Sequence, residues 1–345
     1  CAIVAEVPEE GPLNIIGVGS CPSRGLRKGV VVNIESTVES IKKAVEEAEL
    51  MAAVQINSVY TGIAGSHISG ENLKGVVALK KQEVTRDDIS RAVESARTLA
   101  VIPHERRILH VLPREFMVDD QEGVREPLGM SGNRLEVNVH VITGAVTSAQ
   151  NIIKSVNRAG LDVVDIILQP LASSEAVLSA EERELGVAMV DLGGGTTDLA
   201  IFLDGSIRHT AVLPIGGQNL TKDLAIGLLT SQTDAEKIKV QHGIARTELV
   251  HGHQMVEVPS VGDRPPRQFT RRDIAEILEP RVEEMFDLVK REIVRAGYEG
   301  MLGAGVVITG GTSLLEGMPD AAERGLNLPA RRGMPTGIGG LRDIV

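Results

Sequence analysis

The sequence predicts an α/β protein of two lobes, and three observations carry that prediction. Its 345 residues exceed what one hydrophobic core usually organises, so two domains or one large two-lobed body are expected. The first third carries a strand–strand–helix–strand series, the succession of an α/β layer. Near the middle, residues 187–201 read VAMVDLGGGTTDLAI, an apolar strand that passes through a glycine turn into a second apolar strand. With 42% apolar residues but only two Tyr, four Phe and no Trp, the core is expected to be aliphatic. A net charge of −11 argues against nucleic acid as a partner. Cys1 and Cys21 make no disulfide framework, suggest a reducing compartment, and lack the His or Cys company of a metal site. No apolar run approaches the ~20 residues that span a bilayer.

Taken in order, 1–7, 13–18 and 28–34 read as short strands separated by Pro/Gly-rich turns. Ser36 and Glu39 form a capping-box pair ahead of Val38, Ile41, Val45, Ala48 and Ala52, which recur at helical spacing. Asn57–Ala64 returns as a strand. Residues 65–143 differ in texture and read as a small α+β insertion. In it Gly65–Gly70 and Lys74–Gly75 look like loop or edge strand, and Thr85 and Asp88 cap a helix carrying Ile89, Ala92, Val93, Ala96 and Leu99. Arg107–Leu112 and Leu135–Ile142 read as strands joined by an acidic surface loop over 118–133. Thr147–Ala159 is a helix stopped by Gly160, and Val163–Leu168 a strand.

In the second half, Asp204-Gly205 is a tight-turn pair between strands ending at Leu203 and beginning at Ile207. Helices follow at 218–229 and 233–243, then strand and loop over 250–269. Thr270 and Asp273 cap a long helical pattern ending at Gly297, which Pro280 should kink or split. Gly305–Thr309 is a buried strand, and Gly310-Gly311-Thr312 leads into a helix over Ser313–Gly317.

The glycine hairpin points to a nucleoside triphosphate site. Glycines let backbone N–H groups approach an anion closely, and the hydroxyls of Thr196 and Thr197 can add donors. Asp191 stands where it can hold a metal ion or a water beside a phosphate chain. In a P-loop the glycine turn opens a helix, whereas here Leu199–Leu203 continues as a strand. This arrangement resembles the phosphate hairpin of the actin, Hsp70 and sugar-kinase superfamily.

Within that superfamily the chain resembles one family along essentially its whole length. The residues that carry the likeness are the 187–201 hairpin, Gln169-Pro170-Leu171-Ala172-Ser173-Ser174, Pro214-Ile215-Gly216-Gly217, Ala235-Glu236-Lys237-Ile238-Lys239 and Val307-Ile308-Thr309-Gly310-Gly311-Thr312. Gly25-Leu26-Arg27-Lys28-Gly29, Gly65-Ser66-His67-Ile68-Ser69-Gly70 and Val258-Pro259-Ser260-Val261-Gly262 add to it. These look like FtsA, the bacterial actin-like cell-division family. The resemblance implies an actin-like ATPase fold: two ribonuclease-H-like lobes with ATP between them and a small α+β insertion in lobe one. Lobe one would comprise 1–64 and 144–186 around the insertion at 65–143. Lobe two would have its core at 187–218 and 298–345 and an upper part at 219–297.

The same likeness assigns roles. Gly193, Gly194, Gly195, Thr196 and Thr197 would face the β- and γ-phosphates. Asp191 would hold magnesium through water or polarise the attacking water, and Asp198 would brace the hairpin by accepting loop N–H bonds or act as a direct ligand. Gly217, Gly310, Gly311 and Thr312 would lie against the nucleotide, with Glu236 and Lys239 reaching ribose and adenine. Gln169 stands where many relatives carry Glu to orient water; Gln orients water but is a poor base, so hydrolysis should be slow. A first phosphate loop should lie upstream of Cys1 and an amphipathic membrane helix after Val345, so this stretch should bind ATP poorly and the membrane not at all.

The implied partners are the C-terminal peptide of the ring protein FtsZ, further copies in actin-like filaments, and later division proteins at the insertion, all at the cytoplasmic face of the membrane. Arg264, Arg267, Arg271, Arg272 and Arg281 make the upper part of lobe two locally basic, which suits an acidic FtsZ tail, although Glu276, Glu279, Glu283 and Glu284 interleave. Three alternatives share the superfamily: a sugar or acetate kinase, an Hsp70-like ATPase, and the pilus-assembly adaptor PilM.

Overall fold

The computed structural model describes residues 1–341 except positions 10, 253 and 263. The chain divides into two compact units: residues 1–177 with 206–208 and 334–345, and residues 178–205 with 209–333.

The first unit opens with antiparallel strands β1 (Ala2–Glu6) and β2 (Leu13–Gly19), and Ile338–Gly340 runs parallel to β2 on its other side. A minimal hairpin of β3 (Leu26–Arg27) and β4 (Val30–Val31) leads to helix α1 (Ile34–Ala52). The strand expected at 28–34 therefore shrinks to two residues, because the helix begins earlier than its apolar pattern announces. Its cap is Asn33, whose side chain accepts from Ser36 N at 3.0 Å, in place of the Ser36–Glu39 box.

Strand β5 (Ser58–Ile63) pairs in parallel with β10 (Asp162–Leu168), which runs into α4 (Gln169–Val177). Between them lies the insertion: β6 (Ser69–Ala78), α2 (Arg86–Leu99), β7 (Arg106–Val118), β8 (Gln121–Val124) and β9 (Arg134–Ala145), followed by α3 (Val146–Arg158). Its antiparallel sheet has the order β6-β9-β7-β8, with β6 at one edge as its loop-or-edge texture suggested. The loop expected over 118–133 contains β8, a short hairpin return onto β7. Leu135, Val137, Val139 and Val141 alternate along β9, fully buried, and pack with Ala92 and Ala96 of α2. The Thr85–Asp88 capping box forms as read. Helix α2 lies so close to the sheet that a Cβ at Gly75 would come within 2.0 Å of the Ala92 carbonyl oxygen.

Where the insertion meets the rest of this unit, two imidazoles accept backbone hydrogen bonds. His67 Nδ1 takes one from Ala145 N at 3.4 Å, and His110 Nε2 takes one from Leu168 N at 3.0 Å. Acceptance requires each accepting nitrogen to be unprotonated. Burial holds both rings below their ordinary pKa; the Arg106 charge adds to this at His67, and the Asp165 charge opposes it at His110.

The second unit contains α5 (Ala180–Leu185), β11 (Val187–Leu192), β12 (Thr197–Leu203), β13 (Ser206–Leu213), α6 (Gly217–Gly227), α7 (Gln232–His242), β14 (Met255–Val258), β15 (Arg267–Thr270), α8 (Arg271–Ala296), β16 (Val306–Thr309), α9 (Met318–Leu326) and β17 (Ala330–Arg332). Its sheet has the order β13-β12-β11-β16-β17, antiparallel across β12–β11 and parallel across β11–β16–β17. Asp204 and Gly205 both take positive φ, 52° and 72°, the geometry that Asp-Gly favours in a two-residue hairpin. Val190, Leu192, Leu199 and Ile201 share one core with Leu220 and Leu224 of α6 and Val282, Met285 and Val289 of α8.

Two expectations are corrected here. Helix α8 carries Pro280 in its interior and is not split by it, running 26 residues from the Thr270–Asp273 capping box to Gly297. The helix expected over Ser313–Gly317 is instead a 3-10 turn over Gly311–Leu314, and α9 starts only at Met318.

Two tests follow from this packing. Gly75→Ala should destabilise the chain by about 1–3 kcal/mol in chemical denaturation, since the added methyl meets backbone that cannot swing aside. In the second, the folded pKa of His67 and of His110 lies below the unfolded value of 6.5, so only the unfolded chain gains their protons as pH falls through that value. Stability should therefore fall between roughly pH 7 and 5.5, by less than about 1.4 kcal/mol per pH unit per ring, and the fall should be shallower in a His67→Gln/His110→Gln variant.

Candidate functional site

The register of β11 with β12 places Leu192 opposite Thr197 and Asp191 opposite Asp198, so Gly193–Thr196 form the connection. Gly193 N closes it by donating to Thr196 O at 3.0 Å. The loop carbonyls turn toward the start of α6: Gly217 N donates to Gly193 O at 3.0 Å and Gln218 N to Gly194 O at 2.8 Å. Thr312 Oγ1 also donates to Gly193 O, at 3.0 Å. In a trans peptide the N–H points opposite to the C=O, so the N–H groups of Gly194 and Gly195 face away from α6. The N–H groups of Gly194, Gly195 and Thr196 have no hydrogen-bond partner among the described residues. Adjacent free backbone donors of this kind are the raw material of an anion-binding concavity. A Cβ at Gly194 would meet nothing within 4 Å, so open space lies beside the loop.

Residues directly opposed across an antiparallel pair project to the same face, so Asp191 and Asp198 share one. Asp198 is 3% exposed. Its Oδ2 accepts from Thr196 Oγ1 at 3.4 Å, while its Oδ1 is buried without a partner. Burial, with the Asp191 charge beside it, pushes the Asp198 carboxyl up to about 7 against the pull of the Thr196 hydroxyl. The expectation that Asp198 braces the hairpin by accepting loop N–H bonds is thus corrected: among the described residues the loop group that its side chain engages is the Thr196 hydroxyl. The expectation that the Thr197 hydroxyl faces phosphate is corrected too, since Thr197 is fully buried and donates to Ile215 O at 2.9 Å. Gly310 has φ +82°, and a Cβ there would lie 2.3 Å from Asp191 Oδ1, so strand β16 delivers a residue that only glycine fits against the acid.

A cavity of about 680 Å³ opens beside the loop within this unit, and Gly194, Gly217, Glu236, Lys239, Gly311 and Thr312 all line it. Glu236 and Lys239 lie one turn apart on α7 and face the same way. Lys239 Nζ is drawn inward, donating to Gly217 O at 3.2 Å, Thr221 Oγ1 at 2.9 Å and Glu236 Oε2 at 2.7 Å. The pair that the resemblance assigns to ribose and adenine thus forms part of the wall of a cavity, and Lys239 ties α7 to the first turn of α6. Thr221, whose hydroxyl also bonds Glu236, was missed, although it falls one helical turn after Gly217. The ion pair of Arg271 with Glu316 at the cavity's lining bridges 45 residues, and no local pattern could announce it.

Gln169 is placed in the first unit, at the start of α4, where its side chain lies over Gly62: a Cβ there would come 2.9 Å from Gln169 Cγ. The basic residues expected to meet an acidic partner are mostly engaged. Arg281 donates to Asp223 at 2.6 and 3.2 Å, Arg272 to Glu276 at 3.2 Å, Arg271 to His242 O at 3.0 Å, and Arg267 lies over the Phe269 ring at 5.3 Å. Among the described residues Arg264 alone of the five makes no ion pair and no hydrogen bond.

Comparison with known proteins bears on the whole chain. The family model "Cell division protein FtsA" matches residues 188–344, and the model "SHS2 domain inserted in FTSA" matches residues 65–143. The chain is 52% identical to the cell division protein FtsA of Pseudomonas aeruginosa over 344 residues, 100% of this chain and 82% of that protein. It is 46% identical to the FtsA of Escherichia coli K12, covering 99% of this chain and 83% of that protein, and 40% identical to that of Bacillus subtilis, covering 98% and 76%. Among solved structures it is similar to a PilM–PilN type IV pilus biogenesis complex (TM-score 0.69, 17% identity, 98% of this chain and 86% of that one). It is also similar to the ethanolamine utilization protein EutJ of Carboxydothermus hydrogenoformans (TM-score 0.51, 18% identity, 93% and 74%). Those two likenesses, at such low identity, speak to the fold, which is the actin-like ATPase fold with a small inserted α+β domain. The sequence likeness, sustained at 40–52% from the first strand to the last, speaks to kinship: the chain belongs to the FtsA family of cell-division proteins.

Proposed function

We propose that the chain binds ATP at the glycine loop and the adjoining cavity, and that it serves division as a nucleotide-dependent filament anchoring the FtsZ ring at the cytoplasmic face of the membrane. The observation that supports the nucleotide reading best is the run of three unpartnered N–H groups at Gly194, Gly195 and Thr196 beside open space. Backbone donors already turned toward the ligand give up little freedom when an anion arrives. The β- and γ-phosphates would take these donors. The cavity walled by Gly217, Glu236, Lys239, Gly311 and Thr312 would take the nucleoside.

Two carboxylates sharing a face, one with a buried oxygen lacking any partner, form a donor set that fits a hard divalent cation. No group of three or more His, Cys, Asp or Glu that could hold a metal is found among the described residues. Asp191 and Asp198 would therefore hold magnesium together with water and phosphate oxygens. When bound, magnesium would neutralise charge on the polyphosphate. Asp191 would orient the water next to it, and Gln169 would position the attacking water without taking its proton well, making the chain at most a slow ATPase.

The remaining roles rest on family membership. They are self-association into filaments, capture of the FtsZ C-terminal peptide, recruitment of later division proteins through residues 65–143, and attachment through a C-terminal amphipathic helix. No helix among the described residues is long and apolar enough to cross a membrane. For the FtsZ peptide, Arg264 is the arginine of the five without an ion pair or hydrogen bond among the described residues, and it lines a cavity of about 550 Å³ with Leu229 and Val261. An acidic peptide with an apolar anchor suits that lining.

Four measurements test these roles. Gly194→Ala should leave stability within about 0.5 kcal/mol and lower Mg-ATP affinity at least about tenfold in calorimetric titration, because the methyl enters empty space that the phosphates would use. Gly310→Ala should instead destabilise the fold by about 1–3 kcal/mol, as it combines left-handed backbone with a clash on Asp191. Gln169→Glu should raise the single-turnover hydrolysis rate; equal rates would remove Gln169 from the mechanism. Sedimentation with ATP and an FtsZ tail peptide tests the assembly reading, and failure to pellet with both ligands present would count against it.

A further inference from the structure

We infer that Thr197 is a positioning residue for the nucleotide: its hydroxyl holds the glycine loop against the turn before α6, and so keeps the N–H groups of Gly194–Thr196 aimed outward. The inference rests on the nucleotide reading above.

The side chain itself touches no ligand, being fully buried at the first position of β12. A buried strand position ordinarily favours an apolar β-branched residue, and valine has threonine's shape. Burying a hydroxyl costs free energy unless it is hydrogen-bonded. The bond made here is to Ile215 O at 2.9 Å. Ile215 belongs to the turn that places Gly217 and Gln218, whose N–H groups grip the carbonyls of Gly193 and Gly194. The two backbones meet directly, since a Cβ at Gly216 would lie 2.7 Å from Gly193 O and 2.8 Å from Gly194 O. Asn219 fixes the same turn from the helix side, its Oδ1 accepting from Gly216 N at 3.1 Å.

The loop is thus held at its two ends. Gly217 N, Gln218 N and Thr312 Oγ1 fix the carbonyls at Gly193 and Gly194, and Thr197 fixes the point where the loop rejoins the sheet. Without the Thr197 bond the exit of the loop keeps the Gly193 N–Thr196 O bond, the Thr196–Asp198 contact and the strand pairing, all of which lie within the hairpin, and loses its side-chain tie to the turn before α6, so the peptides at 194–196 are freer to rotate and turn the free donors away from a common point. The cavity wall formed by α7 and the 311–315 turn includes no atom of Thr197, so the nucleoside end should not sense the change.

The test uses this chain with Thr197→Val, Thr197→Ser and Thr197→Cys, titrated calorimetrically with Mg-ATP, Mg-ADP and adenosine. Thr197→Val should weaken ATP and ADP by about tenfold or more while adenosine changes less than about twofold. Thr197→Ser, which keeps the donor, should bind ATP within about threefold of the parent. Should the valine form not fold, Thr197→Cys, a poor donor of similar size, should lose ATP affinity relative to Thr197→Ser. Equal ATP affinity for the parent and Thr197→Val, or for the Ser and Cys forms, overturns the inference. So does equal loss of ATP and adenosine, which marks a merely structural role. Gly194→Ala separates the two ideas: if it leaves ATP affinity intact, the nucleotide reading fails whatever Thr197 does, whereas loss there with no loss in Thr197→Val sinks the positioning role alone.

Discussion

The orientation of two peptide planes, Gly193–Gly194 and Gly194–Gly195, governs the site in the second unit. Their carbonyls are held by the first N–H groups of α6, so the opposite faces of those planes present donors to open space. A helix N-terminus is commonly an anion site in its own right, because its first N–H groups have no intrahelical partner. Here α6 gives that capacity to the loop carbonyls, and the loop transfers it to its far side. Glycine is needed at 216 for this close approach, because the two backbones touch there, whereas glycine at 194 leaves the space beside the loop open.

Around this arrangement the chemistry divides by charge. On the hairpin, two acids share a face, and the buried one is pushed toward neutrality by its surroundings. On α7, a lysine is held by a carboxylate, a hydroxyl and a backbone carbonyl at the cavity wall. A buried carboxylate oxygen without a partner destabilises a fold, and such local conflicts concentrate where a protein binds something. In the proposed reading the acid pair and the free donors would be complementary halves of a site for an anionic ligand that arrives with a cation. Beside them, most of the arginines that a charge count assigns to partner binding are already bonded within the chain, and among the described residues Arg264 alone of the five is not.

The first unit follows a different logic. Its inserted sheet buries one face under α2, with valines and leucine on the strand side, alanines on the helix side, and a glycine where the two backbones nearly touch. Small residues at that contact let the helix lie flat on the sheet without a thick aliphatic layer, consistent with a chain that has few aromatics. Two hydrogen bonds to imidazoles supplement the covalent connections of the inserted segment, one at its ends (His67) and one from its strand β7 to β10 (His110).

Much of this was legible in the residues. The α/β class, the inserted 65–143 texture, the Asp-Gly turn at 204–205, the Thr85 and Thr270 caps and the glycine hairpin are all local signals, written within a few residues of where they act. Gly194 was marked in the same way, while Gly217, Glu236, Lys239, Gly311 and Thr312 were marked through the family resemblance, and all six line one cavity. What the residues did not reveal was decided by partners distant in the chain. The direction of a threonine hydroxyl depends on whether a carbonyl such as Ile215 O stands next to it, and the fate of Arg281 on Asp223, 58 positions away. The short strand before α1 and the 3-10 turn after Gly310 were misjudged for the same reason, since a two-residue strand and a single turn carry too few residues for a period to show. Periodicity and capping are properties of consecutive residues, so the sequence by itself determined the elements and the family. Which donors stay free and which charges are cancelled is settled only when remote segments meet, so tertiary structure alone decided the chemistry of the site.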